Sequence, residues 1–238
     1  MLPRGLSVTL VEPKGPVNVG HVARLIQNFG VEKLYLVEPK ADLSVAAVYA
    51  SHAAEVIDKA IVTTFDQVRR DNDLLVATTA VRATKKSNVT RRMARLERLR
   101  EILSSSASPS IVFGRDSTGL TNEEIDKCDV TVTIDTGQEY RSLNIGHAAA
   151  IILYLASRGA ARDKKRQGRK AREVFAQSLF ELSEASRMPG HKTRNLVEGA
   201  KRMAATSNLT DAQLNLMSGV FRKAVATLGS DQDLGSNT

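Results

Sequence analysis

Tryptophan is absent from this chain, and aromatic residues supply only 4% of its 238 positions. A core built from it is therefore aliphatic, and contacts to nucleic acid would rely on phosphate and shape more than on stacked bases. The single cysteine, Cys128, excludes an internal disulfide and a cysteine-based zinc site. His21, His52, His147 and His191 lack metal-ligand spacing, so no metal is expected. Long hydrophobic runs are missing as well. The longest, Ala148–Ala156, falls far short of the ~20 residues that cross a bilayer, so no membrane partner is expected. Leu6–Val11 is closed by Glu12 and Pro13, unlike the core of a secretion signal, and a reducing, cytoplasmic setting is the natural reading.

Positive charge, in contrast, is in excess, with a formal net charge of +8. Its location matters more than its size. Between Arg82 and Arg100 stand Arg82, Lys85, Lys86, Arg91, Arg92, Arg95, Arg98 and Arg100 against one acid, Glu97. Between Arg158 and Arg172 stand Arg158, Arg162, Lys164, Lys165, Arg166, Arg169, Lys170 and Arg172 against Asp163. The remainder of the chain is acidic on balance, so the charge forms two patches, the footprint of a polyanion binder. A single such run is often just a solvated face; two together favour RNA contact, with Arg82, Lys85, Lys86, Arg91, Arg92, Lys164, Lys165, Arg166, Arg169 and Lys170 as candidates.

Up to about residue 157, short β-rich runs alternate with helix-length segments. Strands are expected at Leu6–Val11, Lys33–Val37, Ile61–Thr63, Leu74–Ala77, Ile111–Phe113 and Val130–Ile134. Helices are expected at Val19–Asn28, Ser44–Ile57, Val89–Leu103, Asn122–Lys127 and Ile145–Ser157. Short aliphatic strands separated by helices specify an α/β domain, a mostly parallel sheet covered on both faces. Residues 158–170 read as a basic linker. The tail, 171–230, is purely helical in period, with helices at Ala171–Arg187, Thr193–Ala205 and Thr210–Leu228. Met188-Pro189-Gly190 breaks the first from the second. No internal repeat is evident.

Three clusters carry the chemistry. In Gly15-Pro16-Val17-Asn18-Val19-Gly20-His21-Val22-Ala23-Arg24, continuing to Asn28-Phe29-Gly30, Asn18 suits an N-cap. Val19, Val22, Ile26 and Phe29 form an apolar stripe, and ~100° per residue puts Arg24 nearly opposite it. Taken alone, Arg24 is an ordinary surface arginine. In Ile111-Val112-Phe113-Gly114-Arg115-Asp116-Ser117-Thr118-Gly119-Leu120, a buried strand enters a glycine-bearing loop ahead of a helix capped near Thr121 or Asn122. Such strand ends are where open α/β sheets bind ligands, although strand-to-glycine turns are common. The third, Ile134 followed by Gln138-Glu139-Tyr140-Arg141-Ser142-Leu143-Asn144-Ile145-Gly146-His147, has Ser142 or Asn144 capping an apolar helix. His147 reads as a packed or interface histidine.

In this order and separation, Asn18-x-Gly20-x-x-Ala23-Arg24 with Asn28-Phe29-Gly30, Phe113-Gly114-Arg115-Asp116-x-x-Gly119-Leu120, and Ser142-Leu143-Asn144 resemble the SpoU–TrmH family of the SPOUT methyltransferases. The match spans about residues 6–157. The helical tail is similar, in length and character, to the TrmJ-like tRNA subgroup. The resemblance implies a methyltransferase domain over 1–157 with a deep trefoil knot at its carboxyl end, and a helical RNA-binding or dimer-supporting extension over 171–230. It implies S-adenosylmethionine as cofactor, held by Thr78, Thr79, Ala80, Gly114, Ile134, Arg141, Ser142, Leu143 and Asn144. It implies Arg24, Ser142 and Asn18 as catalytic residues in an active site shared across a homodimer. The implied reaction is methylation of a ribose 2′-hydroxyl in tRNA, at nucleotide 32, a cytidine. A guanidinium resists deprotonation, so Arg24 is expected to clamp a phosphate and hydrogen-bond the 2′-oxygen. The chain departs from the family at Asp116, where glutamate is more frequent and a helper role would need a bridging water or be lost, and at Val19, a neutral exchange for methionine. A non-catalytic RNA-binding protein of the same fold, an rRNA 2′-O-methyltransferase and a base methyltransferase are the alternatives.

Overall fold

The computed structural model describes residues 2–80, 93–137, 142–158, 168–207 and 209–234, with side chains as far as residue 228. The chain divides into two compact units, Met1–Asp163 and Lys164–Thr238.

The first unit runs β1 (Ser7–Val11), α1 (Pro16–Phe29), β2 (Lys33–Val37), α2 (Leu43–Ala50), α3 (Ala54–Asp58), β3 (Ile61–Thr63), α4 (Phe65–Asp71), β4 (Leu74–Thr78), α5 (Leu99–Ser104), β5 (Pro109–Phe113), α6 (Asn122–Lys127), β6 (Val130–Val132) and α7 (Ile145–Ser157). The strands form one six-stranded sheet in the order β3-β2-β1-β5-β4-β6, every neighbouring pair parallel. All five residues of β1 and of β5 are buried, as expected of central strands covered on both faces. One face packs Val11, Val37, Phe65, Val68, Val112 and Ile125 into a cluster that takes in Cys128. The same face carries a buried polar row: the Ser7 hydroxyl donates to Asn72 Oδ1 at 2.9 Å, and the Thr9 and Ser110 hydroxyls lie 2.9 Å apart.

Several expected boundaries move, each for a local reason. α1 begins at Pro16 with Gly15 as N-cap, so Asn18 lies inside the first turn and is not a cap. The helix expected over Ser44–Ile57 breaks at Ser51, which adopts φ 54°, and a 3-10 turn over Ser51–Ala53 leads into α3. Within the helix expected over Val89–Leu103, residues 89–92 lie outside those described. Met93 instead forms a parallel bridge to Thr131, and the Ala94 N–H donates to the Thr131 carbonyl at 2.8 Å, so the edge of β6 takes the backbone that the helix would have used. Helix begins there only with a 3-10 turn at Leu96–Arg98. α4 was not expected; the Thr64 hydroxyl caps it by accepting from the Gln67 N–H.

A short repeat also escaped the sequence pattern. Leu-Val-Glu-Pro-Lys occurs at 10–14 and again at 36–40, ending the adjacent strands β1 and β2. Glu12 and Glu38 share a left-handed conformation, φ 43° and 46°, which costs a residue with a side chain about 1–2 kcal/mol. Hydrogen bonds offset part of that: Glu12 N–H donates to the Val37 carbonyl at 2.7 Å, and the Pro13 carbonyl accepts from Lys40 and Ala41 at 3.0 and 2.9 Å.

The second unit comprises α8 (Arg169–Ala185), α9 (Gly190–Thr206) and α10 (Asp211–Leu234). Its small core joins Ala171, Phe175, Ala200, Ala204 and Leu214. Phe175 and Phe221 pack with ring centroids 5.8 Å apart. Asp211 accepts from the Gly168 N–H at 3.0 Å, tying the start of α8 to that of α10. Arg187, at φ 53°, and Pro189 separate α8 from α9. Among the described residues no helix is long and apolar enough to cross a membrane.

α1 and α2 meet where α1 has no side chain. A Cβ on Gly20 would lie 2.6 Å from Tyr49 Cβ and 2.7 Å from the Ala46 carbonyl oxygen. Gly20→Ala is therefore expected to destabilise the protein by about 1–3 kcal/mol, as overpacking does, read as a lower urea midpoint with unchanged slope.

Candidate active site

The sheet's order turns around β1 and β5: the chain builds outward from β1 to β3, then returns to fill the other side with β4, β5 and β6. Ligands bind outside carboxyl strand ends near such a reversal. A cavity of about 460 Å³ opens at the ends of β4, β5 and β6, lined by residues 78–80, the loop 114–120, Val132, Ile134, Ser142, Leu143 and the inner side of α7. That volume lies within the ~300–1,000 Å³ of small-molecule sites.

Each wall has a local cause. Thr78 donates its hydroxyl to the Val112 carbonyl at 3.0 Å, and Thr79 N–H donates to the Val132 carbonyl at 3.1 Å, so the segment leaving β4 is pinned to both neighbouring strands. The loop after β5 closes on itself, with Arg115 and Gly119 exchanging backbone hydrogen bonds at 3.1 and 3.0 Å. Gly119 takes φ 69°, and a Cβ on Gly114 would sit 2.1 Å from the Gly119 carbonyl carbon, so both glycines are required by the turn. Thr121 and Glu124 form a reciprocal capping box that starts α6 at once. Asn144 is the N-cap of α7, accepting from the Gly146 N–H at 2.8 Å.

Two acidic contacts join this loop to the segment after β1. Asp116 accepts from the Lys14 and Gly15 N–H groups at 2.9 and 3.2 Å and from the Asn18 amide. Asn18 in turn accepts from the Asn144 amide at 2.8 Å. Arg115 donates to both oxygens of Glu124, at 2.9 and 3.0 Å, and to Glu12. Its side chain is 18% exposed, Glu12 26% and Glu124 16%, so the cluster is largely screened from water. Its hydrogen bonds to the accepting carboxylates of Glu124 and Glu12 raise the Arg115 pKa above its already high ordinary value. Burial opposes ionisation of Glu124, but hydrogen bonds from Arg115 and Thr121 outweigh it and hold its pKa below the ordinary carboxylate value.

Of the residues read from the sequence as cofactor contacts, Thr78, Thr79, Ala80, Gly114, Ile134, Ser142 and Leu143 line this one cavity. Asn144 stands behind it, bonded to Asn18. Arg141 lies outside the described residues. Arg24 is exposed on α1 and does not line the cavity, while Val19, Val22 and Ile26 of the same helix are buried. The structure thus brings Asn18 and Ser142 to the same group of loops, and leaves Arg24 apart from them within this chain. His147 is exposed on α7. Arg169 and Lys170 open α8; Arg82, Lys85, Lys86, Arg91, Arg92, Lys164, Lys165 and Arg166 lie outside the described residues. Among the described residues no group of acids, histidines or cysteines could hold a metal ion.

The model of the SpoU rRNA Methylase family matches residues 5–154, the whole of this site. The chain belongs to that family. Membership makes it an RNA 2′-O-methyltransferase that uses S-adenosylmethionine. One SpoU relative is the tRNA (cytidine-2′-O-)-methyltransferase TrmJ of Methanocaldococcus jannaschii, 35% identical over 196 residues, which are 79% of this chain and 85% of that one. TrmJ from Z. mobilis ZM4 superposes with a TM-score of 0.64 over 94% of this chain and 99% of that chain, at 21% identity. The SpoU methyltransferase AviRb from Streptomyces viridochromogenes, solved with AdoMet, gives 0.50 over 66% and 58%, also at 21% identity. Both likenesses are of fold, and the α/β parallel sheet is the one that SpoU methylases share.

Asp116 reaches α1's first turn directly. The part played by Arg115 and Glu12 was not read from the sequence, where the Thr121-to-Glu124 spacing was the one visible sign.

The lowered Glu124 pKa has a sign that can be tested. Its stabilising contribution is present above its ordinary pKa of 4.5 and is lost as pH falls through the lowered folded value. Urea midpoints measured from pH 7 down to pH 3 are expected to fall in the acid range, and Glu124→Gln to flatten that fall while lowering the midpoint at pH 7.

Proposed function

We propose that this chain methylates the 2′-hydroxyl of a ribose in tRNA, at nucleotide 32 with cytidine preferred, from S-adenosylmethionine held in the cavity at the ends of β4, β5 and β6. Residues 78–80, the loop 114–120 and Ile134, Ser142 and Leu143 meet at that cavity, with Asn18 of the first cluster bonded beside it to Asp116 and Asn144, and this convergence carries the reading. Its residues fit such a donor. Leu120, Ile134, Leu143 and Ile152 offer apolar walls to a purine, and Thr78, Thr79 and Ser142 add hydroxyls and backbone edges. Threading of the loops at 114–120 and 134–144 into a trefoil knot belongs to the same proposal.

When bound, the cofactor supplies a methyl group activated by its sulfonium. The chain's own residues then have to bring a ribose hydroxyl to it. A hydroxyl is a poor nucleophile at neutral pH, so orientation and a route for its proton decide the rate. Ser142, at the cavity wall, can accept from or donate to that hydroxyl. Asn18 already donates to Asp116 and accepts from Asn144; one amide hydrogen and one lone pair remain for substrate. Arg24 serves as a clamp for the phosphate beside the target, its guanidinium fork hydrogen-bonding the 2′-oxygen while the proton leaves to that phosphate or to water.

The exposed position of Arg24 fits a site completed by a second copy of the chain. Val17 on α1, Val45, Val48 and Tyr49 on α2, and Ile151 and Tyr154 on α7 are exposed apolar side chains of the first unit, a surface suited to burial in a homodimer. The basic patches, with Arg169 and Lys170, would grip the tRNA body in a cytoplasmic setting, and the helical second unit would extend that grip. An rRNA substrate is the second reading, favoured by the description of the family model.

Incubation of the protein with labelled S-adenosylmethionine and unmodified tRNA or rRNA, followed by mapping of the modified nucleotide, decides between them. Label in tRNA at nucleotide 32, resistant to alkaline cleavage, is expected. Arg24→Ala should lower kcat by roughly a hundredfold or more, as loss of a transition-state contact does, with tRNA affinity changed less than about threefold. Equal turnover in that variant would remove Arg24 from the mechanism, and label in base or in rRNA alone would overturn the assignment.

A further inference from the structure

We infer that Arg115 is a positioning residue that holds the donor cavity in shape and sets it against the first turn of α1. The inference rests on the proposal that this cavity is where the donor binds. Arg115 stands at the neck of the loop 114–120, where its backbone exchanges hydrogen bonds with Gly119. Its guanidinium reaches in two directions from there. Towards α6 it makes a bidentate pair with Glu124, whose Oε2 also accepts from the Thr121 N–H at 2.7 Å and so starts that helix. Towards β1 it pairs with Glu12. Glu12 is held left-handed immediately before Pro13, and the next residues, Lys14 and Gly15, donate to Asp116, Arg115's neighbour in the loop.

Two adjacent loop residues thus fasten the cavity wall to one short segment through opposite chemistry: a cation that binds the Glu12 carboxylate, and an anion that binds backbone N–H groups of residues 14 and 15. Asn18 is bonded to Asp116, so any shift of the loop would move Asn18 and, through it, Asn144. Glu38 makes the comparison within the chain. It occupies the equivalent place in the second Leu-Val-Glu-Pro-Lys copy, has the same backbone conformation, and is exposed. The difference between the two copies is that Glu12 faces Arg115. Lysine cannot replace the arginine here, because one ammonium on a flexible stem cannot hold a carboxylate in two-point contact and a second carboxylate at a fixed angle.

The test uses the full chain with S-adenosylhomocysteine as probe in calorimetry and, separately, kcat and KM for S-adenosylmethionine. Arg115→Lys and Glu12→Gln are each expected to weaken probe binding roughly tenfold, the scale of a lost charge-assisted hydrogen bond, and to raise KM for the donor more than they lower kcat. Glu38→Gln is expected to leave both unchanged. Glu12 does not line the cavity, so weaker probe binding in Glu12→Gln at unchanged Tm reports positioning. If Arg115→Lys fails to fold, Glu12→Gln alone decides. Unchanged probe affinity in Glu12→Gln, or an equal loss in Glu38→Gln, would overturn the inference. Failure of the wild-type protein to bind the probe would instead overturn the donor-site reading on which it rests.

Discussion

The loop after β5 can form a cavity wall only because its turn is anchored from outside. Residues 114–120 contain two glycines that the tight turn demands, and glycine-bearing turns have many conformations open to them in the unfolded chain. Left to its internal hydrogen bonds, such a loop would have little to choose between them. Here Arg115 and Asp116 fix it to three other parts of the first unit: the end of β1, the start of α1 and the first turn of α6. The Arg115 pairs are largely screened from water, so removing one partner leaves a half-buried charge uncompensated and costs more than losing a surface ion pair, whose median contribution is ~0–1 kcal/mol.

The sheet supplies the rigid base for that anchoring. Its central strands β1 and β5 are buried along their whole length, and both send their chains out at the same edge, as parallel strands must. Parallel pairing therefore delivers residues distant in sequence to one place. Asn18 and Asp116 are 98 positions apart, Asn18 and Asn144 126 apart, yet each pair is hydrogen-bonded. Strand order therefore brings the first turn of α1 and the cavity wall together, and side chains then lock them.

Where a residue's surroundings are periodic, the sequence was readable. The strands Lys33–Val37 and Ile61–Thr63 and the helices Asn122–Lys127 and Ile145–Ser157 stand where their patterns put them. The seven cavity-lining positions came from the family resemblance that three clusters carry together, none of which is distinctive alone. What escaped was decided by contacts distant in sequence. Asn18 looked like a helix cap because its neighbours suit one; Pro16 already starts the helix, and the Asn18 side chain bridges Asp116 and Asn144 instead. Met93–Arg95 looked helical, yet the open edge of β6 offered Met93 and Ala94 a partner. The Glu12–Arg115 pair spans 103 residues, and no local pattern reports such a distance. Repetition of Leu-Val-Glu-Pro-Lys was in plain view, but only the backbone angles give it a meaning.

The buried hydrogen bonds of Ser7 and Thr9 on the central strand β1 have a further effect on how the sheet assembles. In an all-aliphatic parallel sheet, sliding β1 past β5 by two residues would keep every side chain on its own face and lose little packing. Here such a slip would part Thr9 from Ser110 and Ser7 from Asn72 in a dry interior, where each unmatched hydroxyl costs about 1–3 kcal/mol. These few polar atoms contribute little to cohesion compared with their aliphatic neighbours. They act instead as an alignment key, making the one pairing that brings the loop at 114–120 level with Lys14 and Gly15 the one the interior tolerates.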